Sequence, residues 1–212
     1  MNAVIKPSKN LRGTITVPGD KSISHRSVML GSIADGDTKV SGFLTGEDCL
    51  STIDCFKKLG IDIEVDGTNV IVHGKGLRGL SAPTETLNVG NSGTTLRLMS
   101  GLLSAQPFAS HITGDSSIQK RPMGRVATPL GLMGAKIKSE NEKMTAPLTI
   151  EGTKLNGIDY TLPVASAQVK SALILAGLYA EGETRITEPE ATRDHTEIML
   201  NYLGADIKKE GN

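Results

Sequence analysis

Three pentapeptides of one pattern recur along the chain: Leu59-Gly60-Ile61-Asp62-Ile63, Met133-Gly134-Ala135-Lys136-Ile137 and Leu203-Gly204-Ala205-Asp206-Ile207. Their glycines lie 74 and then 70 residues apart. Each follows a helix-like segment (47–58, 123–132 and 196–202), so the glycine suits a helix C-cap and the alternation after it a strand. A second series runs in phase. Ser22, Ser92 and Ala167, 70 and then 75 residues apart, each open a more apolar helix that is followed by a turn and a strand pattern: 36–40, 110–113 and 182–186. Each unit reads β-α-β-α-β-β over about 70 residues, too long for a solenoid repeat and right for a small α/β unit. The fold class expected is α/β, with three such units packed around their buried first helices. Units one and two continue into hairpins, the first through the turn signal Asp66-Gly67. Unit three halts where its returning strand is due to begin, which reads as a piece of a longer protein.

At 212 residues the chain can bury a sizeable core. Its 23 basic and 23 acidic residues cancel, so nucleic acid and membrane are not expected as partners and any anion site must be a local cluster. Three Tyr, three Phe and no Trp leave little for base stacking. Cys49 and Cys55 share one predicted helix, too poorly placed to bridge each other; they read as reduced packing residues of a cytoplasmic protein. No signal peptide, transit segment or long apolar span is evident.

The candidate chemistry lies at the helix starts. The first is Gly19-Asp20-Lys21-Ser22-Ile23-Ser24-His25-Arg26, after an alternating strand pattern at 14–17. A helix start offers free N–H groups and a positive dipole end to a phosphate or carboxylate, and Lys21 and Arg26 add full charges. An ordinary Ser cap with two solvated cations is the competing reading. A P-loop is excluded, because Asp20 separates Gly19 from Lys21 and Thr14 stands where that motif needs glycine. The second start, 88–97, combines Gly90 and Gly93 with Asn91, Ser92, Thr94, Thr95 and Arg97. The third, 163–171, carries Ser166 and Gln168; alone it reads as a capped core helix, and its phase with the others raises it. Between them Lys120 and Arg121 precede Pro122, which suits a first helical position and would set both cations against a positive helix end. Arg193 stands near a further helix start at 190–197. His25, His73, His111 and His195 form no metal-binding pattern and are expected to be structural or solvated.

Taken together, PGDKSISHR (18–26), GNSGTTLR (90–97) and KRPM (120–123) resemble the 5-enolpyruvylshikimate-3-phosphate synthase family over the whole chain, but only about the first half of that family's length. The resemblance implies an enolpyruvyl transferase fold, with residues 1–19 belonging as a strand segment to another domain and 20–212 forming a substrate-binding domain. It implies that Lys21, Ser22, Arg26, Ser166, Gln168 and Arg193 meet shikimate 3-phosphate. Lys21, Gly93, Arg121 and Gln168 would face phosphoenolpyruvate, supported by Asn91, Thr94 and Arg97, in the pocket that glyphosate occupies. Lys21 would also stand near the reacting oxygen. Neither metal nor cofactor is implied, and the complete protein is expected to be a monomer. Ala167 departs from the branch that carries a second serine there, removing one donor. Two alternatives stand beside this reading: UDP-N-acetylglucosamine enolpyruvyl transferase, which has Lys-Asn where Lys21-Ser22 stands here, and a non-catalytic anion-binding module.

Overall fold

The computed structural model describes residues 3–211, so residues 1, 2 and 212 of the expected segments lie outside the described residues. Unit one comprises α1 (Lys21–Ile33), β1 (Asp35–Val40), α2 (Glu47–Lys58), β2 (Asp62–Asp66) and β3 (Asn69–Lys75). Unit two comprises β4 (Leu87–Asn88), α3 (Gly93–Ser104), β5 (Ala109–Thr113), α4 (Gly124–Leu132), β6 (Lys136–Ser139) and β7 (Leu148–Glu151). Unit three comprises β8 (Asp159–Thr161), α5 (Ala167–Gly177), β9 (Arg185–Thr187) and α6 (His195–Tyr202).

The expected repeat is present in three dimensions. Gly60, Gly134 and Gly204 end α2, α4 and α6 with φ of 86°, 101° and 88°, the left-handed geometry that glycine adopts without a Cβ penalty. In unit two the sheet order is β4-β5-β7-β6, with β4 parallel to β5 and both β5 and β6 antiparallel to β7. Unit one keeps the antiparallel part, β1-β3-β2, and unit three only the parallel pair β8-β9. The alternation at 14–17 forms no strand, and neither does 205–208. Both lack a neighbouring strand to complete their backbone hydrogen bonds among the described residues, and an unpaired extended segment is not stable alone. Val4, Ile5, Leu11, Ile15 and Val17 accordingly remain exposed.

The first helices are the core. Every residue of α1 from Ser24 to Ile33 is buried, and so is every residue of α3 except Thr94 and Arg97. Val28, Met29, Leu30, Leu96, Met99, Leu103, Val169 and Leu173 fill the space between them and the sheets, each contributing about 2 kcal/mol by leaving water. Gly101 lets α3 approach α5 closely: a Cβ there would stand 2.1 Å from the Ala172 carbonyl oxygen. Both cysteines of α2 are buried and free, as expected.

A polar thread crosses this core. His25 Nδ1 of α1 shares a 2.7 Å hydrogen bond with Thr52 Oγ1 of α2, which shares another of 2.7 Å with Thr95 Oγ1 of α3. Thr95 in turn meets Ser92 Oγ at 2.6 Å. His25 is fully buried, and burial holds its pKa down to about 4 against the opposing pull of Asp48, with Lys21 and Arg26 adding smaller pushes in the same direction as burial. An unfolded histidine titrates near 6.5. The unfolded chain therefore takes up this proton first, so stability falls as pH drops from about 6.5 to about 4, by at most about 3 kcal/mol. His73, raised by the hydrogen bonds it donates to Asp37 and Glu64, acts in the opposite sense at higher pH. The prediction is that His25→Gln flattens the fall of the thermal midpoint between pH 6.5 and 4. Parallel curves for variant and parent would contradict a buried neutral His25.

Candidate functional site

Three helix N-termini face one region, and they are built alike. Asp20 caps α1 by accepting from Ile23 N at 2.8 Å; Ser92 caps α3 by accepting from Thr95 N at 3.1 Å; Ser166 caps α5 by accepting from Val169 N at 3.4 Å. A side-chain oxygen that accepts from the third residue on fixes where a helix begins. The Ser166 hydroxyl keeps its own proton free to donate.

Two clusters form at these ends. In the first, Arg26 is 4% exposed; its Nε donates to Thr196 Oγ1 at 2.6 Å, Nη2 to Ser171 Oγ at 2.7 Å and Nη1 to the Ser22 carbonyl at 3.0 Å. Arg193, from the segment before α6, reaches Ser22 Oγ at 3.3 Å. Lys21 pairs with Asp48 of α2. Three of Arg26's five N–H groups are therefore spent inside the protein, so it serves here chiefly as framework, while Ser22 and Arg193 lie further out.

In the second cluster, Gln168 of α5 bridges to α3: its Oε1 accepts from Arg97 Nη1 at 2.8 Å and its Nε2 donates to Thr94 Oγ1 at 3.0 Å. Arg121 Nη2 donates to Asn91 Oδ1 at 2.9 Å, and Asn91 Nδ2 donates to Asp115 Oδ2 at 2.6 Å. The other Asp115 oxygen accepts from the amides of Ser117 and Ile118, both at 2.9 Å. The Asn91 hydrogen bond, then these amides, hold that carboxyl below its usual range. Burial, with Arg121 and Arg125 nearby, makes the Arg97 guanidinium less basic. Burial acts in the same direction on Arg26. No carboxylate forms an ion pair with Arg97 or Arg121 among the described residues. Guanidiniums gathered at a positive helix end without a counter-charge make a site that an anion stabilises.

The structure thus brings together Ser22, Arg26 and Arg193 in one cluster and Asn91, Gly93, Thr94, Arg97, Arg121 and Gln168 in the other. Ser166 caps the helix that carries Gln168, and Lys21 sits one residue before Ser22. Pro122 differs from expectation: it lies two residues before α4, whose N-cap is Met123, and a 3₁₀ turn (Ile118–Lys120) precedes it. The partners Asp48, Ser171 and Thr196 and the organising role of Asp115 carried no sequence signal, because each acts on a residue far away in the chain or through loop geometry. Among the described residues no cluster of ligating side chains suits a metal ion, and no helix is long and apolar enough to cross a membrane.

Fold and site define an α/β domain of repeated units in which the starts of α1, α3 and α5 lie beside two clusters of cationic and polar side chains. Residues 5–212 match the family model of EPSP synthase (3-phosphoshikimate 1-carboxyvinyltransferase). Curated relatives of that name include one from Bacillus thuringiensis subsp. konkukian (strain 97-27), 59% identical over 208 residues, and one from Shouchella clausii (strain KSM-K16), 58% identical over 206. These alignments cover 98% and 97% of this chain and 48% of each relative, so the chain spans about half the length of the curated relatives it matches. The solved EPSP synthase of Acinetobacter baumannii superposes with a TM-score of 0.92 at 58% identity, over 94% of this chain and 45% of that one. The chain belongs to the EPSP synthase family, and its fold is the enolpyruvyl transferase fold.

Gly93 gives the site a sharp test. A Cβ there would lie 2.8 Å from Arg97 Nη1 and 3.0 Å from Arg121 Nη1, between the two guanidiniums. Alanine is a better helix former than glycine, so Gly93→Ala is expected to leave thermal stability unchanged or slightly raised. Inorganic phosphate, titrated by NMR, should bind roughly three- to tenfold more weakly as the guanidiniums are displaced from their charge-assisted contacts. Unchanged phosphate affinity would show that these guanidiniums are not the ligands.

Proposed function

We propose that this chain binds shikimate 3-phosphate and phosphoenolpyruvate side by side at the converged helix starts, and serves the transfer of the enolpyruvyl group that its family carries out. Shikimate 3-phosphate belongs against Ser22, Arg26, Ser166, Gln168 and Arg193. Phosphoenolpyruvate belongs against Gly93, Arg121 and Gln168, with Asn91, Thr94 and Arg97 behind them and Lys21 between the two substrates. The observation that carries this reading is the pair of cationic clusters that share helix α5, whose Ser171 accepts from Arg26 and whose Gln168 binds Arg97 and Thr94. Two anions that repel in water need fixed positive partners to be held close enough to react. In the reaction, the 5-hydroxyl of shikimate 3-phosphate attacks C2 of phosphoenolpyruvate while C3 is protonated. The tetrahedral adduct then loses phosphate from C2 and a proton from C3, which forms the enol ether on the 5-oxygen. Lys21 stands where its ammonium meets the reacting oxygens.

The acidic side chains at the cleft are already engaged: Asp48 pairs with Lys21, Asp115 holds Asn91, and Asp20 caps α1. This supports a substrate-holding role for the chain, with the proton-transferring carboxylates supplied elsewhere. Residues 1–19 would then belong to a second domain and 20–212 to the substrate domain. The same reading makes the protein a cytoplasmic, monomeric enzyme of aromatic amino acid synthesis and places glyphosate in the α3-side subsite. UDP-N-acetylglucosamine enolpyruvyl transferase is not favoured: the matched relatives are EPSP synthases, and Ser116 stands where that family commonly carries a reactive cysteine.

The test is calorimetry of shikimate 3-phosphate on the chain, with phosphate release from both substrates measured alone and after adding the C-terminal half of a Bacillus relative. Binding without turnover, then turnover on addition, is expected. Lys21→Met should lower that restored turnover at least tenfold, roughly the worth of one charged hydrogen bond. Robust turnover by the chain alone would mean that its own residues supply the acid and base.

A further inference from the structure

The cleft is underlain by a buried ion cluster that the reaction scheme leaves unused. Lys170 lies one turn into α5, and its side chain is 7% exposed. Its ammonium donates to Glu188 Oε2 at 2.6 Å and to Glu197 Oε1 at 2.7 Å. The carboxylates are nearly as buried, at 10% and 12%. Glu188 opens the segment between β9 and α6, and Glu197 lies in the first turn of α6. They therefore bracket Arg193, the residue whose guanidinium reaches Ser22 Oγ.

The surrounding contacts tie the same segment at several points. Glu188 Oε1 accepts a short hydrogen bond from Thr192 Oγ1, immediately before Arg193. Thr196, immediately before Glu197, meets Arg26 Nε at 2.6 Å and Ser171 Oγ at 2.7 Å, and Ser171 follows Lys170 on α5. At the surface Lys209 donates to Asp194 at 3.3 Å. Burial alone would lower the Lys170 pKa, but Glu188 and Glu197 together more than offset it and raise it. The charges also balance: Lys170 and Arg26 inside the protein answer Glu188 and Glu197, which leaves Arg193 as the uncompensated charge facing outward. A buried ion set of this kind adds little net stability, because desolvation cancels most of the attraction.

We propose that Lys170 is a positioning residue for the shikimate 3-phosphate subsite: by tying Glu188 to Glu197 it holds the 188–194 segment in place, so that Arg193 stands over the start of α1 before the ligand arrives. This rests on the functional reading above. A phosphate then binds without the cost of ordering the loop. Removing Lys170 leaves two buried carboxylates repelling each other, and Arg193 loses its fixed direction.

Two measurements test this. Lys170→Met alone leaves unpaired buried charges and is expected to melt well below the parent. The neutral triple variant Lys170→Met, Glu188→Gln, Glu197→Gln removes the ion set without leaving such charges. It is expected to melt within a few degrees of the parent yet to bind shikimate 3-phosphate at least tenfold more weakly by calorimetry. A merely structural role would move the melting point and not the affinity, so parent-like affinity in the folded triple variant overturns the proposal. The second measurement needs no variant. Backbone ¹⁵N relaxation of the unliganded parent should give residues 190–193 order parameters near the rigid value of about 0.85, and values below about 0.6 overturn the proposal. If the parent fails to bind shikimate 3-phosphate, the functional reading falls, while the relaxation result still decides whether the segment is held in advance.

Discussion

The structure depends on holding three helix starts together against their own electrostatics. The N-termini of α1, α3 and α5 carry partial positive charge, and Lys21, Arg26, Arg97, Arg121 and Arg193 crowd the same region. Like charges so placed repel. What opposes the repulsion lies behind the cleft. The helices are buried along almost their whole length, and apolar side chains such as Leu96, Leu103 and Leu173 are removed from water there. Gly101 allows α3 to lie directly against the α5 backbone. Hydrophobic burial is non-directional, so polar contacts set the register: His25, Thr52 and Thr95 link α1 through α2 to α3, and Gln168 links α5 to α3.

The two cationic clusters manage their charge differently. Around Arg26 the buried carboxylates Glu188 and Glu197 and the hydroxyls of Ser171 and Thr196 absorb the charge, while Lys21 and Arg193 stay exposed. Around Arg97 and Arg121 no carboxylate forms an ion pair among the described residues. Asp115 is occupied in ordering the loop through Asn91 and the amides of Ser117 and Ile118. The α3 cluster is thus the more electropositive, and the α1–α5 cluster the more preorganised.

Much of the fold was legible in the sequence because its signals are local. A helix C-cap glycine and the alternation after it declare themselves within five residues, and the same is true of the serines that cap α3 and α5. The segments that misled, 14–17 and 205–208, read correctly as alternation but formed no strand, since a strand is defined by a neighbour as much as by its own pattern. Pro122 misled for a similar reason: its fixed φ suits a helix start, yet the chain spends two further residues before α4 begins. At the site the cations and helix starts were visible. Their partners were not. Arg26 and Thr196 lie 170 residues apart, and Arg193 and Ser22 lie 171 apart. The repeat, by setting equivalent helices side by side, and the family resemblance, which sets Ser22, Arg26 and Arg193 against one ligand, were the hints that such residues meet.

The proposed function requires two adjacent anion subsites, built on different helix starts. The most direct measurement is backbone amide shift mapping of the ¹⁵N-labelled chain, titrated first with shikimate 3-phosphate and then with phosphoenolpyruvate. The account predicts that the first ligand moves residues 21–24, 167–169 and 193. The second then moves residues 93–97 and 121, with Gln168 responding to both. Perturbations confined to one helix start, or spread over surfaces remote from all three, would contradict it.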